Sequence, residues 1–234
     1  MLALFGIPYI RARSEAESQC AWLFSQGLVD GIVTDDSDVF LFGGTEVYRN
    51  MFSQTRYVEC YRRGDVESQM KLTRERLIHL AYLLGSDYTD GLPGVGAVTA
   101  MEIIDAWPGY AGLEALRTWW QEAQRTGGLS VRSMDPAARK PIHRKLANMK
   151  SLVIPDHFPD PRVQEAYLHP LVDTDPAPFV WGKPDVDRIR AFFAQQLQWE
   201  ASRVEKDLQP VLTAMRDREA TGSQRRLEHF FGVT

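Results

Sequence analysis

Apolar positions Ala16, Cys20, Leu23 and Phe24 recur at helical spacing and predict a helix that Gly27 closes. Ser14 and Glu17 fit an S-x-x-E capping box at its start. Ahead of it, Ile7-Pro8-Tyr9-Ile10 reads as a strand with no lead-in, the pattern expected in the middle of a larger protein. Residues 29–34 are short and β-branched, a buried strand that stops at the acidic run Asp35-Asp36-Ser37-Asp38. Two more strands are expected at 46–51 and 56–61, turning at Ser53-Gln54. A Thr73 cap followed by Leu77, Leu80, Ala81 and Leu84 predicts a helix stopped by Gly85. Helices follow at 98–104, through Trp119-Trp120, and over 136–151. The proline-rich stretch 155–184 reads as irregular, 185–199 and 204–215 as helices, and Thr221-Gly222-Ser223 as a hinge to the tail. Strand, helix, strand order gives an α/β architecture.

Charge changes this picture little overall and sharply in one place. The 234 residues carry 27 Lys+Arg against 31 Asp+Glu, a net charge of −4, which excludes a globally basic nucleic-acid coat. At 44% hydrophobic and 25% charged the chain is ordinary globular material. No stretch approaches the ~18 apolar residues of a membrane span, and the first residues lack the charged start of a signal peptide. Cys20 and Cys60 form neither a disulfide framework nor a CxxC pair, which suits a reducing compartment. The exception is 136–151, where Arg139, Lys140, Arg144, Lys145 and Lys150 stand with no acid among them.

The candidate chemistry is carboxylate chemistry. Glu15 and Glu17 flank a helix start, Asp36 and Asp38 sit two apart at a strand end, and Asp87 follows a helix C-terminus. In extended backbone, residues two apart face the same side, so Asp36 and Asp38 can converge. Crowded carboxylates repel unless cations neutralise them, and oxygen donors suit Mg²⁺ or Mn²⁺. Two such ions would support phosphodiester hydrolysis. Taken singly, each acid also has a structural reading: Glu17 in the capping box, Glu15 at the helix dipole, Asp36 and Asp38 as a cap, Asp87 in a turn. The five histidines show no metal-ligand spacing.

The glycines of 91–96 permit a tight hairpin between helices that resembles a helix-hairpin-helix phosphate clamp, with Gly94 and Gly96 as backbone contacts to DNA, and that also reads as an ordinary helix-helix turn. The basic segment, with Arg139, Lys140, Arg144 and Lys145, would add phosphate attraction. In the tail, Gln224, Leu227, Phe230 and Phe231 match Q-x-x-L-x-x-F-F, the form of a peptide ligand. A competing class starts from Ile32-Val33-Thr34-Asp35-Asp36-Ser37-Asp38, a strand followed by D-x-D as in haloacid-dehalogenase phosphatases, with Asp36 as nucleophile and Asp38 as acid. A third is a non-catalytic DNA-binding or scaffold module.

Phe5-Gly6-Ile7-Pro8-Tyr9-Ile10, Glu15-Ala16-Glu17, Thr34-Asp35-Asp36-Ser37-Asp38, Leu83-Leu84-Gly85-Ser86-Asp87-Tyr88 and Gly91-Leu92-Pro93-Gly94-Val95-Gly96, in this order, resemble the internal (I) region of the flap-endonuclease/XPG nucleases. Val47-Tyr48-Arg49-Asn50, residues 98–103 and Trp181-Gly182-Lys183-Pro184-Asp185 are most similar to the family's nucleotide-excision-repair branch. The resemblance implies a PIN-like 5′-nuclease core, a central mixed sheet flanked by helices, plus a helix-two-turn-helix and C-terminal helices. It implies that Glu15, Glu17, Asp36, Asp38 and Asp87 bind two Mg²⁺, with Mn²⁺ able to substitute, and that the carbonyls of Gly91, Leu92 and Val95 hold a K⁺. The activity implied is structure-specific cleavage of one DNA strand near a double-strand/single-strand junction, on the 3′ side of a repair bubble, in the nucleus. The implied partners are the sliding clamp PCNA, through Gln224, Leu227, Phe230 and Phe231, and the repair helicase complex TFIIH.

The expected organisation is a nuclease core over 1–125 with the helix-two-turn-helix at about 85–105, a helical DNA-binding extension over 126–220, and a clamp-binding tail over 221–234. Two departures from the family bear on function. The family's N-terminal region supplies two further aspartates and a basic gateway that do not precede Met1, so the chain alone is expected to have little or no nuclease activity. Ala97-Val98-Thr99 stands where flap endonucleases place basic residues, which shifts the expected duplex grip toward 139–150.

Overall fold

The computed structural model describes residues 1–54, 57–127 and 141–221. The chain forms two compact units, Arg11–Ala177 and Met1–Ile10 with Pro178–Thr234. Compactness therefore divides the chain elsewhere than the expected functional boundary at 125. Arg139, Lys140, Gln224, Leu227, Phe230 and Phe231 lie outside the described residues.

In the larger unit, α1 (Ala16–Ser25) leads to β1 (Ile32–Val33), the single-turn α2 (Asp38–Leu41), β2 (Glu46–Arg49) and β3 (Glu59–Arg62). The sheet order is β1-β2-β3, with β1 parallel to β2 and β3 antiparallel to it, so the sheet is mixed as expected. β1 is shorter than predicted, although Thr34 N–H still donates to the Tyr48 carbonyl at 3.2 Å beyond it. Helices α3 (Arg63–Met70), α4 (Arg74–Leu84), α5 (Ala97–Ala106), α6 (Gly109–Arg125), α7 (Pro141–Ala147) and α8 (Pro161–Leu168) follow. Thr73 caps α4 by accepting from Arg76 N–H, and Gly85 ends it. The core gathers Val39, Val47, Ile78, Leu83, Ala100, Ile103, Leu113, Leu116, Leu146 and Tyr167, each almost wholly buried. Fully burying one such aliphatic side chain contributes about 1.5–3 kcal/mol, so α4 and α5, lined with them, hold the unit together.

Three expectations change. The capping box does not form: Glu15 is the N-cap residue of α1, without a side-chain cap, and Glu17 turns to Thr34 instead. The stretch 155–184 is not wholly irregular, because Asp160 accepts from Arg162 N–H, Pro161 fits the first helical turn, and Val163 and Tyr167, four apart, bury one face of α8. Helix α3 buries nothing, which is why apolar periodicity did not reveal it.

In the smaller unit, Ile7-Pro8-Tyr9-Ile10 is not a strand. Pro8 has no N–H to give a ladder, and no described strand pairs with these residues. A short 3-10 helix, Leu2–Phe5, precedes them. Gly182 N–H donates to the Gly6 carbonyl at 2.8 Å. Helices α9 (Val186–Leu197) and α10 (Ala201–Thr221) bury Ile189, Val204 and Leu208 and are joined by the Arg190–Glu205 ion pair at 2.9 Å. Among the described residues, no helix is long and apolar enough to cross a membrane.

Candidate active site

Three short elements bring acids to one end of the larger unit, the start of α1, the β1–α2 turn and the loop after α4, and a fourth, α8, contributes a hydroxyl. The β1–α2 turn is not extended, so the expected pleat argument does not describe it. Asp36 Oδ1 instead accepts from Asp38 N–H at 2.9 Å, and Asp38 opens α2. Asp35 faces the other way: its Oδ1 accepts from Asn50 N–H at 2.7 Å and its carbonyl from the Arg49 guanidinium, fixing the turn to the end of β2. That leaves Asp36 exposed and Asp38 half-buried, with Glu15 and Glu17 half-buried and Asp87 exposed.

Asp38 sits where these charges meet. Burial raises its carboxyl above the ordinary value, the Tyr167 hydroxyl opposes that, and the negative charges of Asp36, Asp87 and Glu15 raise it further. Among the described residues, no lysine or arginine forms an ion pair with Glu15, Glu17, Asp36, Asp38 or Asp87. Hydroxyls serve them instead. Thr34 Oγ1 donates to Glu17 Oε1 at 3.3 Å, Tyr88 to Glu15 Oε1 at 3.4 Å, and Tyr167 to Asp38 Oδ2 at 2.8 Å. Each leaves the second carboxylate oxygen of its partner outside that bond. Among the described residues, the hydrogen bond that links Glu17 to the others runs through Thr34, whose hydroxyl also accepts from Asp36 N–H at 3.1 Å.

The acids are electrostatic neighbours rather than a finished cage. Among the described residues, no three acidic, histidine or cysteine side chains stand in ready metal-ligating geometry. An all-oxygen, anionic donor set, three of whose members (Glu15, Glu17 and Asp38) accept from neutral hydroxyls, suits a hard divalent cation. Sequence reasoning missed Thr34, Tyr88 and Tyr167. Tyr88 stands beside Asp87 in the motif and was within reach, whereas nothing in the local sequence marks Tyr167.

The hairpin after Asp87 is built by backbone. Leu92 N–H donates to the Leu83 carbonyl at 2.9 Å and Val95 N–H to the Leu92 carbonyl at 3.1 Å, with both side chains buried. Gly91 (φ 74°) has no room for a Cβ, which would lie 2.5 Å from Gly85 N, and one on Gly94 (φ 80°) would meet Ser151 Oγ at 2.3 Å. Gly96 is the N-cap of α5, whose first N–H groups form the anion-attracting end of the helix. Ser151, packed on the hairpin, follows α7, where Arg144 and Lys145 are exposed and Lys145 pairs with Glu102 at 2.7 Å.

Known proteins decide what this arrangement is. The catalytic core of Rad2 (complex I) superposes with a TM-score of 0.75 at 42% identity, covering 89% of this chain and 70% of that one. The chain belongs to the flap-endonuclease/XPG nuclease family. Its fold is the α/β PIN-like core of that family. The family model described as XPG I-region matches residues 6–87, and the catalytic core of Rad2 in complex with DNA substrate (complex III) gives a TM-score of 0.79 at 44% identity, over 89% of this chain and 66% of that one. DNA repair protein rad13 of Schizosaccharomyces pombe is 46% identical over 99% of this chain and 20% of its own length. DNA excision repair protein ERCC-5 of Mus musculus is 43% identical over 99% and 19%. The chain thus spans about a fifth of the length of these curated relatives. A more distant structure, the eukaryotic junction-resolving enzyme GEN-1 binding with potassium, is 27% identical with a TM-score of 0.59, over 83% of this chain and 50% of that one. The comparisons favour neither the phosphatase nor the scaffold reading.

Proposed function

We propose that this chain carries the catalytic core of a structure-specific DNA endonuclease of nucleotide excision repair, cutting one strand at a double-strand/single-strand junction on the 3′ side of a bubble. The observation that carries the reading is the group of acids around Asp38, which no described cationic side chain neutralises. Glu15, Glu17, Asp36, Asp38 and Asp87 would hold two divalent cations, Mg²⁺ with Mn²⁺ as substitute. Bound there, such ions supply Lewis acidity for phosphodiester hydrolysis. The chain's own part is to hold and orient: Thr34, Tyr88 and Tyr167 each fix one carboxylate oxygen, and the Asp35 bonds hold the β1–α2 turn in place.

The hairpin and the N-terminus of α5 would bind phosphate oxygens without reading bases, so affinity falls steeply with salt and depends little on sequence. The carbonyls of Gly91, Leu92 and Val95 are the proposed K⁺ ligands; the potassium-bound GEN-1 structure supports a cation in a protein of this fold. Gly94, Gly96, Arg144 and Lys145, with Arg139 and Lys140, are the proposed DNA contacts. A nuclear location, TFIIH as partner, and PCNA bound through Gln224, Leu227, Phe230 and Phe231 belong to the same proposal, as do the boundaries 1–125, 126–220 and 221–234. So does weak cleavage by the chain on its own.

The test is Mg²⁺-dependent incision of a bubble duplex by the full-length protein. Asp36→Asn is expected to keep DNA affinity while cleavage falls on the order of 10³-fold, about 4 kcal/mol of barrier. Cleavage at the parent rate, or a trapped phospho-aspartate on Asp36, overturns the reading.

A further inference from the structure

Tyr167 is fully buried, yet it lies some eighty residues beyond the segment that carries the acids. Its ring packs edge-on against Tyr88 at 5.0 Å and tilted against Phe42 at 5.2 Å. Its hydroxyl donates to Asp38 Oδ2 at 2.8 Å. Burial pushes the phenol well above its ordinary pKa, so it remains a donor throughout the working pH range. The helix that presents it is fixed at both ends. At its start, the Tyr82 hydroxyl donates to the Asp160 carbonyl and accepts from Gln164 N–H at 3.0 Å. At its end, Arg74 donates to the Tyr167 carbonyl at 2.8 Å while also holding the carbonyls of Leu41 and Phe42, at the end of α2. The same guanidinium thus ties α8 to the helix that Asp38 opens. A phenylalanine would fill the same core volume, so packing alone does not call for the hydroxyl.

We propose that Tyr167 is a positioning residue for Asp38, through which α8, outside the matched residues 6–87, sets the cation affinity of the carboxylate site. This rests on reading that site as one for divalent cations. A carboxylate with one oxygen held by a fixed donor presents the other in a single direction, and removing such an outer partner weakens binding on the order of 10-fold or more. The coupling is reciprocal: if α8 tightens cation binding, cation binding must tighten α8.

Mn²⁺ titrations followed by electron paramagnetic resonance, without DNA, test this on the full-length protein, its Tyr167→Phe variant and its Asp38→Asn variant. The parent chain is expected to bind, Asp38→Asn to lose that binding, and Tyr167→Phe to bind on the order of 10-fold more weakly. If Tyr167→Phe binds as tightly as the parent while Asp38→Asn does not, the positioning role is wrong and the cation site stands. If the parent does not bind, the cation reading falls and the role of Tyr167 with it. Hydrogen exchange of the parent needs no variant: amides of 162–168 are expected to gain protection on Mn²⁺ addition, and unchanged protection there overturns the proposal.

Discussion

The acidic cluster and the glycine hairpin are separated by only a few residues of chain, from Asp87 to Gly91, and are built on opposite principles. The cluster draws side chains from positions 15, 17, 36, 38 and 87, with three hydroxyls holding Glu15, Glu17 and Asp38. The hairpin uses six consecutive residues and two anchoring side chains, Leu92 and Val95, and its working groups are backbone. One is therefore vulnerable to a lost charge, the other to an added methyl. On the proposed reading, the two would pair a hydrolytic centre with a sequence-blind grip on the strand it cuts.

The largest effect should follow from Asp87→Asn. Single-turnover cleavage of a bubble duplex is expected to fall on the order of 10³-fold, with DNA affinity unchanged in a filter-binding titration. A loss of affinity instead would mean that Asp87 belongs to the grip and that the two regions are not separable. Gly91→Ala should do the reverse. Its left-handed backbone and the 2.5 Å approach to Gly85 leave no room for a methyl, at a cost on the order of 1–3 kcal/mol. DNA affinity should drop several-fold while Mn²⁺ affinity holds.

The smallest effect sharpens the electrostatic half. Because burial and its acidic neighbours raise Asp38 above its ordinary value, the folded chain binds a proton there more tightly than the unfolded chain. Without divalent ions, stability should therefore decline as pH rises from about 4, the unfolded value, through the raised folded one. Asp38→Asn should remove that part of the slope in thermal melts, and saturating Mg²⁺ should flatten it in the parent chain. An Asp38→Asn variant that keeps the parent's slope would show that Asp38 does not contribute to it.

The sequence made these regions legible to different degrees, for physical reasons. The hairpin was readable because its requirement is local: glycines where φ must be positive, between two strongly patterned helices. The acids were visible as residue types, but their meeting was not, since Glu17 fitted a capping box as well as it fitted a site. Only the fold shows that Ser14 and Glu17 make no cap and that Glu17 answers Thr34. The misread strand at 7–10 shows the limit of β-branched pattern where a proline interrupts it. Tyr167 was invisible because its role depends on a helix with only two buried positions, in a stretch whose prolines read as irregular.

A crystal of the chain grown with Mn²⁺, read by anomalous scattering, tests the central claim most directly. The account predicts metal peaks within coordination distance of the Asp36 and Asp38 carboxylates, with Glu15 and Asp87 drawn toward them. Mn²⁺ bound away from these acids at saturating concentration would contradict it.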